Sequence, residues 1–352
     1  MTRVIHLREV AIGGGNPPVI QSMCNTDTGD AEASLAQIKS VQEAGCQIIR
    51  LAIPRAEVLP AFGEICRQSP LPVVADIHFD WRLAMGALEA GADGIRVNPG
   101  NIRDLEGVRT VARRAAKLGK VVRIGVNLGS LESDCERRFG RTAEALVGSA
   151  ERFVELFQGE GCQELKVSLK ASDLRLTLEA NRLFASRSDL PLHIGLTEAG
   201  LPETGFLKSA IAIGALLSEG IGDTFRVSLT ASPEEEIAAA RKILDALGYN
   251  QERPQIIACP TCGRTAIDLV TIAQAVQAEI DDLLRQGKKI PFRKIAVMGC
   301  EVNGPGEARD ADIGMAGGKG KGLVFRHGEP VRAFPEAELL PAFLQMIRDE
   351  CR

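Results

Sequence analysis

The chain has 352 residues, of which 45% are hydrophobic and 25% charged, and its formal net charge is −4. This is the composition of a globular protein with a substantial core, and the length allows one large domain or two ordinary ones. A slightly acidic chain with one Trp and one Tyr argues against a nucleic-acid-binding surface. Because no apolar run reaches the roughly 18 residues of a membrane helix and the first residues resemble no secretory or transit segment, we expect a cytoplasmic protein.

The first segment, "RVIHLREVAIGGGNPPVI", predicts a β-hairpin turned at Gly-Gly-Gly-Asn. After it, short β-branched apolar runs alternate with amphipathic segments of helical period. The eight runs are "PVIQSM", "QIIRLAI", "PVVADIHF", "DGIRVNP", "VVRIGVN", "LKVSLKA", "LPLHIGL" and "DTFRVSL". Eight strand–helix units over about 250 residues predict a (β/α)₈ TIM barrel, an α/β fold. We expect the hairpin to close the bottom of that barrel.

Cationic side chains occupy the centres of several predicted strands, although buried parallel strands are normally apolar. They are Arg50, Arg96, Arg123, Arg226, Lys166 and Lys170. Strand side chains two residues apart share a face, which aligns these cations with further polar residues. Those residues are Asn25, Asp76, His78, Asn98, Asn127 and Ser228.

We expect these side chains to line the mouth at the carboxyl ends of the strands, where barrel enzymes keep their active sites. Crowded cations need an anion, and arginine suits phosphate, so the mouth is predicted to bind about two phosphates' worth of negative charge. The alternative is that each arginine pairs with an acid, for which Asp76 and Glu198 are the main candidates.

The pattern changes after "DALGYNQERPQ", so we expect a barrel domain over residues 1–250 and a small α/β domain over 251–352. The second domain is predicted to contain a strand in "IIACPTCG", a helix from about Thr265 to Arg285 and a strand in "KIAVMGC". A glycine-rich pair of strands follows, and a final helix begins near Glu336. The run "AGGKGKG" matches no phosphate-loop fingerprint and favours a hairpin.

Three cysteines, Cys259, Cys262 and Cys300, follow two strands of this second domain. Neighbouring strands lie about 5 Å apart, so their ends can share one metal centre. Three thiolates suit a zinc site or an iron–sulfur cluster. An oxygen ligand is available in "GCEVNGPGEA", where Glu301 adjoins Cys300 and Glu307 follows a Gly-Pro-Gly turn that can fold back.

The motifs "ADIHFD", "RVNPGN", "RIGVNLGSLE", "GLTEAG" and "CPTCGR…MGCEVNGPGEA" resemble those of the bacterial 4-hydroxy-3-methylbut-2-en-1-yl diphosphate synthases of the non-mevalonate isoprenoid pathway. The resemblance covers essentially the whole chain. It implies a [4Fe-4S] cluster held by Cys259, Cys262, Cys300 and Glu307. It also implies reductive ring opening of 2-C-methyl-D-erythritol 2,4-cyclodiphosphate, with two electrons from a flavodoxin or ferredoxin.

On this interpretation Glu307, Asp76 and His78 are the catalytic residues. The diphosphate is bound by Asn25, Arg50, Arg96, Asn98, Arg123, Asn127, Lys170, Arg226 and Ser228. One departure is Cys24, which stands where the family usually has threonine and which we interpret as a passive replacement. Two other functions stay open: a zinc-stabilised barrel acting without redox chemistry on a phosphate ester or pterin, and a phosphometabolite sensor.

Two further expectations concern partners. The segment "RQGKKIPFRK", Arg285 to Lys294, carries five positive charges and is a candidate docking surface for an acidic electron carrier, although cations also favour a helix C-terminus. The eighth helix should return the chain to the bottom of the barrel, away from the mouth. A short linker then favours a head-to-tail homodimer, in which each cluster domain covers its partner's barrel, as the resemblance also implies.

Overall fold

The computed structural model describes residues 1–249, 253–300, 306 and 308–352. The chain divides into two compact units, Met1–Ile243 and Leu244–Arg352. No helix among the described residues is long and apolar enough to cross a membrane.

The first unit is the predicted barrel. Its eight parallel strands are β3 (Val19–Met23), β4 (Ile48–Ala52), β5 (Val73–Ile77), β6 (Gly94–Val97), β7 (Val121–Asn127), β8 (Leu165–Lys170), β9 (His193–Ile194) and β10 (Thr224–Phe225). They pair in the order β8-β7-β6-β5-β4-β3-β10-β9. A parallel bridge between Val167 and Leu192 joins β8 to the start of β9 and closes the ring.

Helices alternate with these strands on the outside. They are α1 (Ala31–Ala44), α2 (Leu59–Gln68), α3 (Trp81–Glu89), α4 (Leu105–Leu118), α5 (Ser133–Phe139), α6 (Ala143–Gly159), α7 (Leu174–Arg187), α8 (Pro202–Ser218) and α9 (Pro233–Ala246). Several begin at a side-chain cap that the sequence provides: Asp30, Asp104 and Asp173 each accept a hydrogen bond from a backbone N–H of the first turn. The predicted cap at Ser232 is also present, because its Oγ accepts from the backbone N–H of Glu235.

The hairpin precedes the barrel as expected, but its turn is elsewhere. Strands β1 (Ile5–Leu7) and β2 (Val10–Ile12) are joined by Arg8 and Glu9, with Arg8 at φ 50°. The prediction of a turn at Gly-Gly-Gly-Asn was therefore wrong: that segment follows β2 and carries the chain toward the barrel. The closing role is confirmed, because the buried side chains of the hairpin pack against the first residues of the barrel strands, Val19, Ile48, Val74 and Val121.

The second unit is a five-stranded sheet covered by two helices. Its strands are β11 (Gln255–Ala258), β12 (Lys294–Met298), β13 (Ile313–Gly317), β14 (Lys321–Arg326) and β15 (Glu329–Pro335), in that order. The first three are parallel and the last two antiparallel. Helices α10 (Leu269–Arg285) and α11 (Glu336–Glu350) supply apolar side chains to its core, among them Val276, Ile280, Phe343 and Ile347.

Two details of the second unit differ from expectation. Helix α10 begins at Leu269 rather than near Thr265, because Asp268 accepts from the backbone N–H of Thr271 and caps the helix there. The glycine-rich segment forms three strands instead of two. The hairpin predicted at "AGGKGKG" is confirmed as the β13–β14 connection, where the backbone N–H of Gly318 donates to the carbonyl of Lys321.

Candidate active site

A cavity of about 300 Å³ lies at the carboxyl ends of the barrel strands. Among the residues predicted for the site, those that line it are Arg50, Asp76, His78, Arg96, Arg123, Asn127, Lys170, Arg226 and Ser228. Five of these nine side chains are cationic, so the structure brings together the positive charges that the strand pattern predicted.

Asp76 on β5 holds cations from both neighbouring strands. Its carboxylate lies 3.2 Å from Nη1 of Arg96 and 3.7 Å from Nε of Arg50, and Nε2 of His78 is 3.8 Å away. Burial raises the pKa of this carboxyl, but the charges of Arg50 and Arg96 outweigh it and bring the pKa of Asp76 down to about 2. Asp76 is therefore ionised throughout the neutral range and fixes the direction of two arginines.

Glycines at two inward positions leave room for the cations. A Cβ on Gly125 would lie 2.5 Å from Nε of Arg96, whose Nη2 donates to the carbonyl of Gly125. At Gly195, with φ 139°, a Cβ would lie 3.0 Å from Nζ of Lys170 and closer still to a backbone carbonyl. Both positions need glycine because a long cationic side chain or the backbone occupies the space.

Arg226 is positioned by Glu236, which the sequence analysis did not identify. Oxygens of the buried Glu236 carboxylate accept from Nε and Nη2 of Arg226 at 3.0 and 3.1 Å and from the backbone N–H of Leu229 at 2.9 Å. The expectation that Asp76 and Glu198 would be the main neutralising acids was incomplete, because this acid comes from helix α9 and not from a strand. The signal was its helical spacing with the buried Ala240 and Ile243.

Arg123 and Lys170 have much less compensation. Arg123 is only 2% exposed, and its Nε and Nη2 have no hydrogen-bond partner among the described residues. Burial and the charges of Arg50 and Arg96 lower the pKa of Arg123 well below its usual value. Burial and the charge of Arg123 also lower the pKa of Lys170 well below its usual value. Groups in this condition favour an anion in the cavity, which would supply the missing partners.

Two predicted binding residues do not line the cavity. Asn25 is exposed, and its side-chain oxygen accepts from Gln37 of α1 at 2.6 Å. The Asn98 amide donates to Oγ of Ser130 at 2.7 Å and accepts from the backbone N–H of Gly100. Both follow the last residue of their strand, where the alternation of faces no longer determines direction.

Other cavity residues were not predicted to bind. They are Met23, Ser168, Leu196, Thr197 and Glu198. Met23 is the most informative, because its Sδ lies 3.0 Å from Nη2 of Arg50 and 3.5 Å from Nη1 of Arg226. It shares a strand face with the buried Gln21, and this period-two pattern was the available signal.

A larger groove, of about 830 Å³, lies at the opposite end of the barrel beside the first residues of the chain. It carries charges of both signs: Arg3 contacts Asp189, Arg187 contacts Glu151, and Glu155 also lines it. It lacks the excess of one charge that characterises the mouth, so we assign the site to the mouth.

The three predicted metal-binding cysteines lie at one edge of the second unit's sheet. Cys259 directly follows β11, and its Sγ accepts from the backbone N–H of Gly299, the residue before Cys300, at 3.1 Å. Backbone and side-chain hydrogen bonds from Arg264 hold the pKa of the exposed Cys262 below its usual value. No three Cys, His, Asp or Glu side chains of the described residues converge as a metal site, and Glu307 lies outside those residues.

The remaining cysteines have a different environment. Cys24, Cys46, Cys66 and Cys162 are buried in the barrel unit, and burial raises their thiol pKa values to between about 11 and about 12. Such thiols are poor nucleophiles. Cys24, the departure noted in the sequence, is thus held in its protonated form.

Two similar solved structures cover about 70% of the chain. One is a phospho-2-dehydro-3-deoxyheptonate aldolase from Thermotoga maritima, with a TM-score of 0.50 and 14% identity, covering 70% of this chain and 74% of that one. Another is a 3-dehydroquinate dehydratase from Geobacillus kaustophilus, with a TM-score of 0.50 and 16% identity, covering 71% and 99%. At such identities the likeness establishes the barrel fold and nothing about the reaction.

Curated relatives match nearly the full length. A protein of Geobacter sulfurreducens named 4-hydroxy-3-methylbut-2-en-1-yl diphosphate synthase (flavodoxin) is 49% identical over 347 residues, covering 97% of this chain and 96% of its own. A protein of the same name from Aquifex aeolicus is 48% identical over 349 residues, covering 99% and 96%. The model of the GcpE TIM-barrel domain matches residues 2–241, and that of the GcpE protein C-terminal domain matches residues 255–349. With both domain models matched in order along one chain, this protein belongs to the GcpE family.

Proposed function

We propose that the chain catalyses the reaction for which its relatives are named, the reductive opening of 2-C-methyl-D-erythritol 2,4-cyclodiphosphate to 4-hydroxy-3-methylbut-2-enyl diphosphate. Two electrons come from a flavodoxin, or alternatively a ferredoxin, and one hydroxyl leaves as water. The observation that carries the proposal is the cavity, in which five cationic side chains are opposed by three carboxylates, those of Asp76, Glu198 and Glu236. The remaining positive charge suits a ligand with two phosphate groups.

Within this cavity, each residue has a role that follows from its position. Arg50, Arg96, Arg123, Lys170 and Arg226 bind the diphosphate, and Asn127 and Ser228 donate further hydrogen bonds. Because Asp76 and Glu236 hold three of the arginines in place before the ligand arrives, little reorganisation is needed on binding. His78, beside Asp76, faces the cavity and can deliver a proton to the leaving hydroxyl.

The cofactor in this proposal is a [4Fe-4S] cluster held by Cys259, Cys262, Cys300 and Glu307. The donor set fits in kind, since three thiols follow adjacent parallel strands at one sheet edge and thiolates are the usual ligands of cluster iron. When bound, such a cluster supplies one-electron transfer, which no side chain of the barrel can perform. We place the enzyme in the cytoplasm, where these thiols stay reduced.

We further propose a head-to-tail homodimer in which one chain's second domain covers the other chain's barrel. Two apolar side chains at the rim of the mouth support this. Phe79, on the loop after β5, is 74% exposed, and Leu201, on the loop after β9, is 66% exposed. Large apolar side chains in such positions often mark a surface that another protein covers.

Metal analysis tests the proposed function directly. Protein purified without oxygen should contain about four irons and four sulfides per chain and should convert the cyclodiphosphate with reduced flavodoxin. Cys259→Ser, Cys262→Ser or Cys300→Ser should lose the iron, whereas the control Cys351→Ser, at the end of α11, should keep it. One zinc and no iron in the active protein would contradict the proposal and favour a redox-neutral barrel enzyme.

Glu307 gives a finer test of the same proposal, made from the sequence because the residue lies outside the described ones. A carboxylate is a harder and weaker ligand for cluster iron than a thiolate. We expect Glu307→Ala to retain iron but to lose most turnover. Full activity in this variant would contradict the assignment of Glu307 as a ligand.

A further inference from the structure

Lys166 lies in the barrel interior below the cavity. It shares a face of β8 with Ser168 and Lys170, which line the cavity, but it lies toward the amino end of the strand and does not line the cavity itself. Its side chain is fully enclosed, with 1% of the residue exposed, and its Nζ has no hydrogen-bond partner among the described residues. An ammonium group without a protein hydrogen-bond partner is costly in such a place.

The charged and titratable groups around Lys166 do not offset that cost. Arg123 is its direct partner in the β7–β8 register, and Arg50 on β4 adds a second positive charge. Asp223, just before β10, opposes them, but its oxygens already accept from Oγ1 of Thr2 at 2.6 Å and from the backbone N–H of Leu192 at 2.8 Å. His193 on β9 is bonded to Thr224.

The balance of these neighbours favours the neutral amine. Burial and the charge of Arg123 lower the pKa of Lys166 well below its usual value, and Asp223 only partly opposes this. A buried lysine in this state is a weak base. An added negative charge nearby raises its pKa and so favours uptake of a proton from solvent.

We propose that Lys166 is an uncharged amine in the empty barrel and takes up one proton from solvent when the anionic substrate fills the cavity above it. The inference rests on the proposed function of that cavity. The two negative charges of the cyclodiphosphate offset Arg123 and Arg50, so they weaken the repulsion that, together with burial, keeps Lys166 neutral. Substrate binding and protonation are then linked, and affinity falls as the pH rises.

The ligand itself contributes no proton to this balance. In the cyclic diphosphate each phosphorus carries a single ionisable oxygen, which is a strong acid, so the compound stays a dianion throughout the neutral range. Any proton taken up on binding therefore belongs to the protein.

Calorimetry of the full-length, cluster-loaded protein measures this proton. Binding heats of the cyclodiphosphate are recorded at one pH in buffers of different ionisation enthalpy, and the slope gives the number of protons taken up. We expect about one proton at neutral pH for the unchanged protein and close to none for Lys166→Met, with a substrate Kd that rises by up to about tenfold per pH unit in the unchanged protein alone.

Two control variants identify the group. Lys170→Met and His78→Gln remove the lysine and the histidine that line the cavity, and both should keep the proton uptake even though they bind more weakly. Loss of the uptake in either variant, or its persistence in a folded Lys166→Met protein, would overturn the proposal. If Lys166→Met fails to fold, Lys166→Gln is the second variant, and uptake that persists in a folded Lys166→Gln protein would overturn the proposal equally.

Failure of the inference is distinct from failure of the proposed function. Binding of the cyclodiphosphate without proton uptake would overturn the role of Lys166 and leave the substrate assignment intact. Absence of any binding would overturn the substrate assignment. In that case sulfate, a dianion that does not titrate near neutral pH, serves as the probe, and uptake that Lys166→Met abolishes would still support the role of Lys166.

Discussion

Asp76 connects the cations of the mouth to the stability of the barrel. Asp76 is 3% exposed and its carboxylate contacts Arg50 and Arg96, so its removal leaves the buried guanidinium group of Arg96 and the largely buried one of Arg50 without this partner. Breaking one member out of such a buried set is costlier than losing a surface pair. The residue therefore contributes to folding as well as to binding.

The lowered pKa of Asp76 gives a pH-dependent prediction. A carboxyl whose pKa is about 2 in the folded state and 3.8 ordinarily adds stability that is fully present above the ordinary pKa and is lost as the pH falls through the folded one. The difference in free energy of unfolding between the unchanged protein and Asp76→Asn should be smaller at pH 3 than at pH 7 by about 1 kcal/mol.

Urea titration at the two pH values measures that difference. Asp134→Asn is a suitable control, because Asp134 is exposed and its pair with Arg137 lies on the surface. A difference between the unchanged protein and Asp76→Asn that stays constant from pH 7 to pH 3 would show that Asp76 is not held ionised by its neighbours.

At the scale of single elements, helix α9 supports the strand end beside it. Both oxygens of Glu236 are occupied by donors from Arg226, and one also accepts from the backbone of Leu229. In Glu236→Gln an N–H group replaces one oxygen and faces a donor. We expect a loss of about 2 kcal/mol in unfolding free energy and a fall of about tenfold in kcat/KM, because Arg226 loses its fixed direction.

Steady-state kinetics and urea unfolding check both parts of this expectation. Glu235→Gln is the matched control, since Glu235 is the preceding residue of α9, is exposed and accepts hydrogen bonds from the helix cap at Ser232. Equal kinetics in the two variants would mean that α9 does not position Arg226.

The sheet of the second unit has two basic segments, which lie at opposite ends of its parallel strands. Arg293 and Lys294 enter β12 at its amino end, on the side of the exposed Lys288 and Lys289, whereas Cys300 follows the carboxyl end of the same strand. The β13–β14 turn carries the exposed Lys319, and β14 begins at Lys321. That turn lies at the cysteine edge because β13 runs parallel to β12.

This arrangement revises the docking prediction. A donor bound at the cysteine edge is closer to the cluster ligands by the length of a strand. Lys319→Glu with Lys321→Glu should therefore slow reduction by flavodoxin several-fold at low salt, with a smaller effect at high salt. Lys288→Glu with Lys289→Glu is the matched pair. A larger effect in that pair, measured by stopped-flow reduction, would restore the original prediction.

Strand periodicity accounts for most of the site that the sequence could predict. Arg50, Arg96 and Arg123 each lie within a regular strand, so alternation fixed their direction. Arg226 directly follows β10 and is directed by Glu236. Asn98 follows a strand end, where hydrogen bonds to Ser130 and Gly100 decided the outcome.

Residues on other elements could not be found by that rule. Glu236 is placed by the packing of helix α9 against the barrel. The turn of the first hairpin depends on a positive φ at Arg8, which no turn motif in the sequence predicts. Composition and alternation were thus sufficient for the barrel, while contacts between elements set the details of the site.

For the molecule as a whole, the proposed dimer predicts complementation between defective chains. Arg123→Ala inactivates a barrel and Cys300→Ser a cluster, so each homodimer should be inactive. If sites form between chains, each mixed dimer regains one intact site, and an equal mixture allowed to exchange subunits should recover about a quarter of full activity.

The measurement is turnover after exchange, with two different barrel variants, Arg123→Ala and Lys170→Ala, mixed as the control that should stay inactive. Sites built within one chain would leave every species in the first mixture inactive too. That outcome would contradict the head-to-tail arrangement.

The hairpin at the amino end of the barrel has a consequence for how substrate and product exchange with solvent. Leu7 and Ile12 are completely enclosed and pack against residues near the amino ends of the barrel strands, so the hairpin closes that end of the barrel. Substrate must therefore enter, and product leave, through the opening at the carboxyl ends of the strands. Substrate, product and water therefore share this one opening. A domain that covers this opening would have to move away and return once per catalytic cycle. The rate of that motion, rather than of bond breaking, would then limit turnover.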